Sequence, residues 1–212
     1  MLKTLILIPS YNEKKSLTKI LKKIKNNNKI LVMDDCSVDG TSLLFRNEKN
    51  IKIFSNNKNY GYEKNLLKGF KKSFKFNFDY ILTFDADGEH DFKDISKIKE
   101  FLIHNRPDML VGSRKYMNRS SERIVSFFFK LFLNVHDPLS GLKAYKVSKL
   151  KKILSMTSSK FFLVDIIKLF KNNNFIVQNI KINSKIKKKR ISRTGSGVST
   201  TLKILKCLKL LF

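Results

Sequence analysis

The stretch LTFDADGEHD, Leu82–Asp91, decides how this chain is read. An apolar run passes directly into four acids within seven residues, in a chain whose formal net charge is +27. Acids so close repel one another. The arrangement is tolerable when a cation sits among them, or when Asp85 and Asp87 serve only as caps of the following helix. The spacing Asp-x-Asp allows two carboxylates to reach one hard divalent ion. Mg²⁺ uses one or two protein carboxylates and completes its shell with water and phosphate oxygens. Asp85, Asp87 and Glu89 are therefore the metal candidates, and an incompletely ligated metal points to a diphosphate.

The surroundings of that stretch give the fold class. TLILIPS (4–10), KILVMDD (29–35), IKIFS (51–55), YILTFDAD (80–87) and DMLVGSR (108–114) are continuous apolar runs, as buried parallel strands require. Between them, Leu17, Ile20, Leu21 and Ile24, then Leu66, Leu67, Phe70 and Phe74, then Ile95, Ile98, Phe101 and Leu102 recur at helical spacing. Alternating strands and helices predict an α/β architecture, a mostly parallel central sheet flanked by helices. Later segments predict a helix over 121–135, a strand at GLKAYK, a helix over 161–171 and a strand over 175–182. The chain divides into a catalytic unit, 1–182, and a basic loop ending in an amphipathic helix, 183–212. In open α/β sheets ligands bind beyond the carboxyl ends of strands. Three polar clusters follow such ends: 10–13, 34–41 and 85–90. Together they place about seven acids on one rim.

Of the 212 residues, 44 are Lys or Arg and 17 are Asp or Glu. No acid follows Asp165, whereas twelve basic residues do. Either this charge is a solvated coat or it meets anionic partners such as phosphates, nucleic acid or an anionic membrane surface. A nucleic-acid site would interleave aromatics for base stacking, and residues 183–206 contain none. Two cysteines, Cys36 and Cys207, form no disulfide framework, which fits a reduced, cytoplasmic setting. No run reaches the length of a membrane span, and the apolar N-terminus is too short for a signal peptide. Neither GxGxxG nor GxxxxGK[ST] is present.

IPSYNE, VMDDCSVDGT, NYGYEKNLLKG, FDADGEHD, VGSR and DPLSGLKAY occur in the order of the inverting family 2 glycosyltransferases. The set most resembles the polyprenyl-phosphate sugar transferases of the dolichol-phosphate mannose synthase type, over roughly residues 3–200. The resemblance implies a GT-A nucleotide-diphospho-sugar fold with Mg²⁺ or Mn²⁺ as cofactor. It implies that Pro9, Tyr11 and Glu13 hold the base and ribose and that Asp35, with Asp34 beside it, contacts the nucleoside. Asp85, Ala86 and Asp87 take the metal and sugar nucleotide, with Glu89 where the family often has Gln. Arg114 reaches the phosphates. Asn59, Gly61 and Gly69 match a segment near the nucleotide, or serve turn and packing needs.

The implied partners are a UDP- or GDP-linked sugar and a polyprenyl phosphate. A sugar hydroxyl acceptor needs a general base, and no Glu-Asp pair occurs in the second half. A lipid phosphate is already anionic and needs positive charge, which Arg119, Arg123, Arg190 and Arg193 supply. Arg123 and Ser126 resemble the subgroup's R-x-x-S; Asp137, Ser140 and Gly141 resemble its D-x-x-S-G. The chain departs from the subgroup at SRTGSGVSTTLK, where Lys203 stands in for a Lys that normally follows the Ser directly. A saccharide acceptor in surface polysaccharide synthesis is the alternative reading. The basic helix 201–212, with Phe127, Phe128, Phe129 and Phe132 of helix 121–135 beside it or else in the core, would hold the enzyme peripherally at the inner face of the membrane.

Overall fold

The computed structural model describes residues 2–117, 119–156, 162–183 and 198–211, without the side chains of 198–200, 203 and 210. Among the described residues seven strands form one sheet: β1 (Thr4–Ser10), β2 (Lys29–Asp34), β3 (Ile51–Ser55), β4 (Tyr80–Thr83), β5 (Met109–Arg114), β6 (Lys143–Lys146) and β7 (Val177–Ile182). The order is β3-β2-β1-β4-β6-β5-β7. β6 runs antiparallel to β4 and β5, and every other pairing is parallel. All seven residues of β1 are buried, because helices cover both faces of the sheet.

Side chains alternate across the sheet. Ile6, Ile8, Val32 and Leu82 meet Leu17 and Leu21 of helix α1 (Lys14–Ile24) and Ile95, Ile98 and Leu102 of α3 (Lys93–Asn105). On the other face, Leu5, Leu7, Leu31 and Ile81 meet α2 (Tyr62–Ser73), α5 (Val147–Leu154) and α6 (Phe162–Asn172) through Leu66, Phe70, Leu150 and Ile166. Gly69 permits this approach: a Cβ there would stand 2.7 Å from a Leu7 methyl and 2.9 Å from Met33.

Three local features differ from the sequence reading. The fourth strand stops at Thr83, and Phe84 to Asp87 lie beyond the ladder, turning at Gly88 with φ +77. Helix α5 was hidden in VSKLKKIL, whose Lys residues obscure buried Leu150, Ile153 and Leu154. The C-terminal segment is α7 (Val198–Leu205) continued by a 3₁₀ turn over Lys206–Leu210. Its apolar side faces the protein: buried Cys207, with Ile204, Leu205, Leu208 and Leu211, packs on Val125 and Phe129 of α4 (Ser120–Leu133) and on Val164 of α6. Phe129 is thus core, while Ile124, Phe127, Leu131 and Phe132 lie exposed on the outer side of α4.

Candidate active site

The rim is built by strand register. β1 and β2 pair so that Ser10 stands opposite Asp34, and Leu7 of β1 stands opposite Thr83 of β4. The three polar clusters that follow β1, β2 and β4 therefore emerge side by side. Pro9 and Ser10 are buried at the end of β1, Glu13 is half-buried, and Tyr11 is exposed. Asn12 takes a left-handed turn with φ 51 and accepts the Val38 amide at 2.9 Å, which joins the first two clusters.

The acids of the second cluster have different tasks. Asp35, at 2% exposure, accepts Asn56 Nδ2 at 2.7 Å, the Tyr60 amide at 3.0 Å and the Gly61 amide at 2.8 Å. It ties the loop after β3 to the rim, and Gly61 supplies the φ of +82 that the turn requires. Asp34 is also buried and accepts the Ser37 amide at 3.3 Å. Asp39, not singled out by sequence, accepts the Lys14 amide at 2.8 Å and the Thr41 amide at 3.0 Å, so it caps α1 from a distant loop. Burial works against its ionisation, but the Thr41 and Lys14 hydrogen bonds hold its carboxyl below the ordinary value.

Asp85 is held by two side chains. Tyr62 donates its hydroxyl to Oδ1 at 2.8 Å, and His90 Nε2 lies 3.2 Å from Oδ2. Burial opposes its charge; His90, Tyr62 and the Lys143 ammonium outweigh burial and lower its pKa. The carboxylate lies directly over Gly141, where a Cβ would stand 1.9 Å from Oδ2. Only glycine fits there. Ala86 is buried, and Asp87 and Glu89 are half-buried, with the Glu89 amide donating to Asp87 Oδ1 at 2.9 Å.

Beneath the rim runs a buried ionic network. Arg114 donates from Nε to Asp137 Oδ2 at 2.7 Å, and from Nη2 to Asp137 Oδ1 at 3.1 Å and Glu122 Oε2 at 3.3 Å. Asp137 is fully buried, so this forked pair is committed to the interior. Burial disfavours the guanidinium charge, yet Asp137 and Glu122 raise its pKa. Lys143 is also fully buried and donates to the Ser140 carbonyl. Sequence reading missed Lys143, Tyr62 and Glu122. A lone Lys inside the apolar strand GLKAY was the visible signal for the first; an acid between two arginines in RSSERI was the signal for the last.

Arg123 is exposed in the first turn of α4, and Arg119 is its half-buried N-cap. Ser126 is buried on the same helix, and its hydroxyl has no partner among the described residues. Arg190 and Arg193 lie outside the described residues, as does the side chain of Lys203.

The family model for glycosyl transferase family 2 matches residues 5–154. The chain belongs to glycosyl transferase family 2. This family 2 enzyme is 30% identical to the uncharacterised protein MJ1222 of Methanocaldococcus jannaschii, over 94% of the chain and 88% of that protein. It is 27% identical to the polyprenol monophosphomannose synthase of Mycolicibacterium smegmatis, over 92% of the chain and 83% of that protein. The glucosyl-3-phosphoglycerate synthase of Mycobacterium tuberculosis, solved with Mn²⁺, UDP and phosphoglyceric acid, superposes with a TM-score of 0.72 at 12% identity. That match covers 99% of the chain and 78% of the synthase. The sheet, its flanking helices and these neighbours make the fold GT-A, and the protein is a glycosyltransferase.

Burial pushes the Lys143 ammonium down from 10.5 to about 8, although Asp137 and Asp85 favour its charge. The unfolded chain therefore binds the extra proton between those values, and Lys143 adds stability as pH rises through that window. Wild-type Tm should climb from pH 8 towards pH 10 more steeply than that of Lys143→Met. Equal slopes in scanning calorimetry would refute the buried-ammonium assignment.

Proposed function

We propose that this family 2 enzyme transfers a sugar from a nucleoside diphosphate sugar to a polyprenyl phosphate, in a reaction that requires Mg²⁺ or Mn²⁺. The observation that carries the reading is the Asp85–Asp87 pair just past β4: Asp85 is held between Tyr62 and His90 with its pKa lowered, and the half-buried Asp87 accepts the Glu89 amide in the turn that follows.

Among the described residues, no three His, Cys, Asp or Glu side chains already form a cage. The donor set still fits the ion, because Mg²⁺ needs only one or two protein carboxylates and completes its shell with water and phosphate oxygens. Asp87 and Asp85 would hold it, with Glu89 in reach through the same turn. A bound divalent ion there supplies charge neutralisation to the leaving diphosphate. Pro9, Tyr11, Glu13 and Asp34 line the side of the rim where the nucleoside would lie, and Asp35 keeps the loop at 56–61 in place beside it. Arg114 contributes positive charge from within its clamp. The Mn²⁺ and UDP of the mycobacterial synthase support the donor side of this reading. UDP and GDP sugars both fit that chemistry.

On the acceptor side, a lipid phosphate oxygen attacks the anomeric carbon, the bond to the donor diphosphate breaks, and the nucleoside diphosphate leaves with the electron pair. The phosphate is anionic at neutral pH, so no side chain has to remove a proton. Arg119 and Arg123, one helical turn apart, supply the positive charge, and Arg193 would add to it. The name of the Mycolicibacterium relative supports this acceptor class.

The same helix supplies the membrane face. Ile124, Phe127, Leu131 and Phe132, at 44, 62, 65 and 52% exposure, follow helical spacing along the outer side of α4. Exposed Lys130, Lys206 and Lys209 accompany them. Such a surface suits an anionic, cytoplasm-facing leaflet, and no helix among the described residues is long and apolar enough to cross it. The C-terminal segment contributes charge and braces α4, because Ile204, Leu205, Cys207 and Leu208 already pack against the protein, while Leu202 stays exposed.

Purified enzyme given Mn²⁺ or Mg²⁺, labelled UDP and GDP sugars and a short-chain polyprenyl phosphate should move label into the organic phase. Asp87→Asn should lower that rate by about 100-fold or more. Label that enters only an oligosaccharide acceptor would overturn the lipid reading. Phe127→Ser combined with Leu131→Ser should weaken flotation with phosphatidylglycerol vesicles by about ten-fold or more; unaltered flotation would remove α4 from the membrane.

A further inference from the structure

Glu122 stands in the wrong place for a site that binds a phosphate. It lies between Arg119 and Arg123, is only 14% exposed, and so is no part of a solvated coat. By Coulomb's law alone it weakens the binding of any anion at those arginines. Its contact explains its presence. Glu122 Oε2 accepts Arg114 Nη2 at 3.3 Å, and the same guanidinium grips Asp137 at 2.7 and 3.1 Å.

These three residues come from three places. Arg114 ends β5, Glu122 lies in the first turn of α4, and Asp137 lies in the turn that follows α4. One guanidinium thus holds both ends of the helix against the sheet. At the start of α4, the N-cap Arg119 makes no side-chain cap hydrogen bond. In the first turn the Glu122 and Arg123 amides donate to the Arg119 carbonyl at 3.1 and 3.3 Å. A helix can rotate about its axis when only apolar contacts hold it. At the C-terminal end Asn179 of β7 holds the Asn134 carbonyl and the His136 amide; at the N-terminal end the clamp through Glu122 opposes rotation.

We infer that Glu122 is a positioning residue for the acceptor: through Arg114 it fixes the rotation of α4, and so the place at which Arg119 and Arg123 receive a phosphate. The inference rests on the lipid-phosphate reading above. It assigns Arg114 a second task beyond the diphosphate, as the strut that couples the sheet rim to the acceptor helix.

Charge and positioning predict opposite signs. If Glu122 acts only through its charge, Glu122→Ala tightens acceptor binding. If it positions α4, the loss of the clamp weakens binding despite the favourable change in charge. The full chain is assayed with farnesyl phosphate as acceptor, and KM is measured for each substrate. Glu122→Ala should raise the farnesyl phosphate KM by about ten-fold, since small misplacements are costly, and should leave the donor KM within about two-fold. Glu122→Gln, which can still accept from Arg114, should recover most of the loss. An unchanged or lower acceptor KM in Glu122→Ala, or donor and acceptor KM rising together, overturns the inference. Wild-type enzyme that neither binds nor glycosylates farnesyl phosphate overturns the acceptor reading itself, and the inference falls with it.

Discussion

The position of one carboxylate governs the rest of this structure. Asp85 sits where β4 ends, pressed onto the bare backbone of Gly141, with Tyr62 on one oxygen and His90 on the other. A carboxylate withdrawn from water keeps its charge only when donors and cations compensate for the lost hydration. Lys143 lies within electrostatic reach below it, and Lys143 in turn is tolerated in the interior because Asp85 and Asp137 offset its charge. Removing one member strands another, which is why these ions form a connected network and not isolated pairs.

That network joins the two halves of the proposed reaction. Its rim end is the Asp85–Asp87 pair. Its far end is the Arg114 clamp, which reaches α4 through Glu122. Helix α4 has two sides with separate tasks: Val125 and Phe129 bury against the body and the C-terminal segment, while the exposed side carries Arg123 in the first turn and Ile124, Phe127 and Leu131 along its length. An anionic acceptor with an apolar tail suits a helix organised in this way, because headgroup charge and hydrocarbon would be met by successive turns of one element.

Much of this was legible in the sequence. Continuous apolar runs mark strands covered on both faces; β1, β2, β3 and β5 follow them closely, and β4 stops four residues short of the end of its run. The acids after β1, β2 and β4 were legible as a rim, because parallel strands put their carboxyl ends on one edge. What each acid does was not legible. Asp35 reads as an acid that contacts the nucleoside, and the structure adds that it accepts the amides of Tyr60 and Gly61; residue type does not reveal which partner arrives from a distant loop. Lys143 and Glu122 look like surface charges in sequence, since burial of a charge depends on partners brought in by tertiary contacts. The C-terminal helix shows the same limit. Its amphipathic pattern says that one side will be covered, and does not say whether lipid or α4 will cover it.

The central claim is that the carboxylates past β4 hold a divalent ion that neutralises a nucleoside diphosphate. Anomalous diffraction at the manganese edge tests it most directly, with crystals grown in Mn²⁺ and UDP and, in parallel, Mn²⁺ and GDP. A single peak between the Asp87 carboxylate and the diphosphate oxygens in at least one of the two is the predicted result. Nucleotide bound in the rim with no manganese near Asp85, Asp87 or Glu89, or a peak elsewhere in the protein, would contradict it.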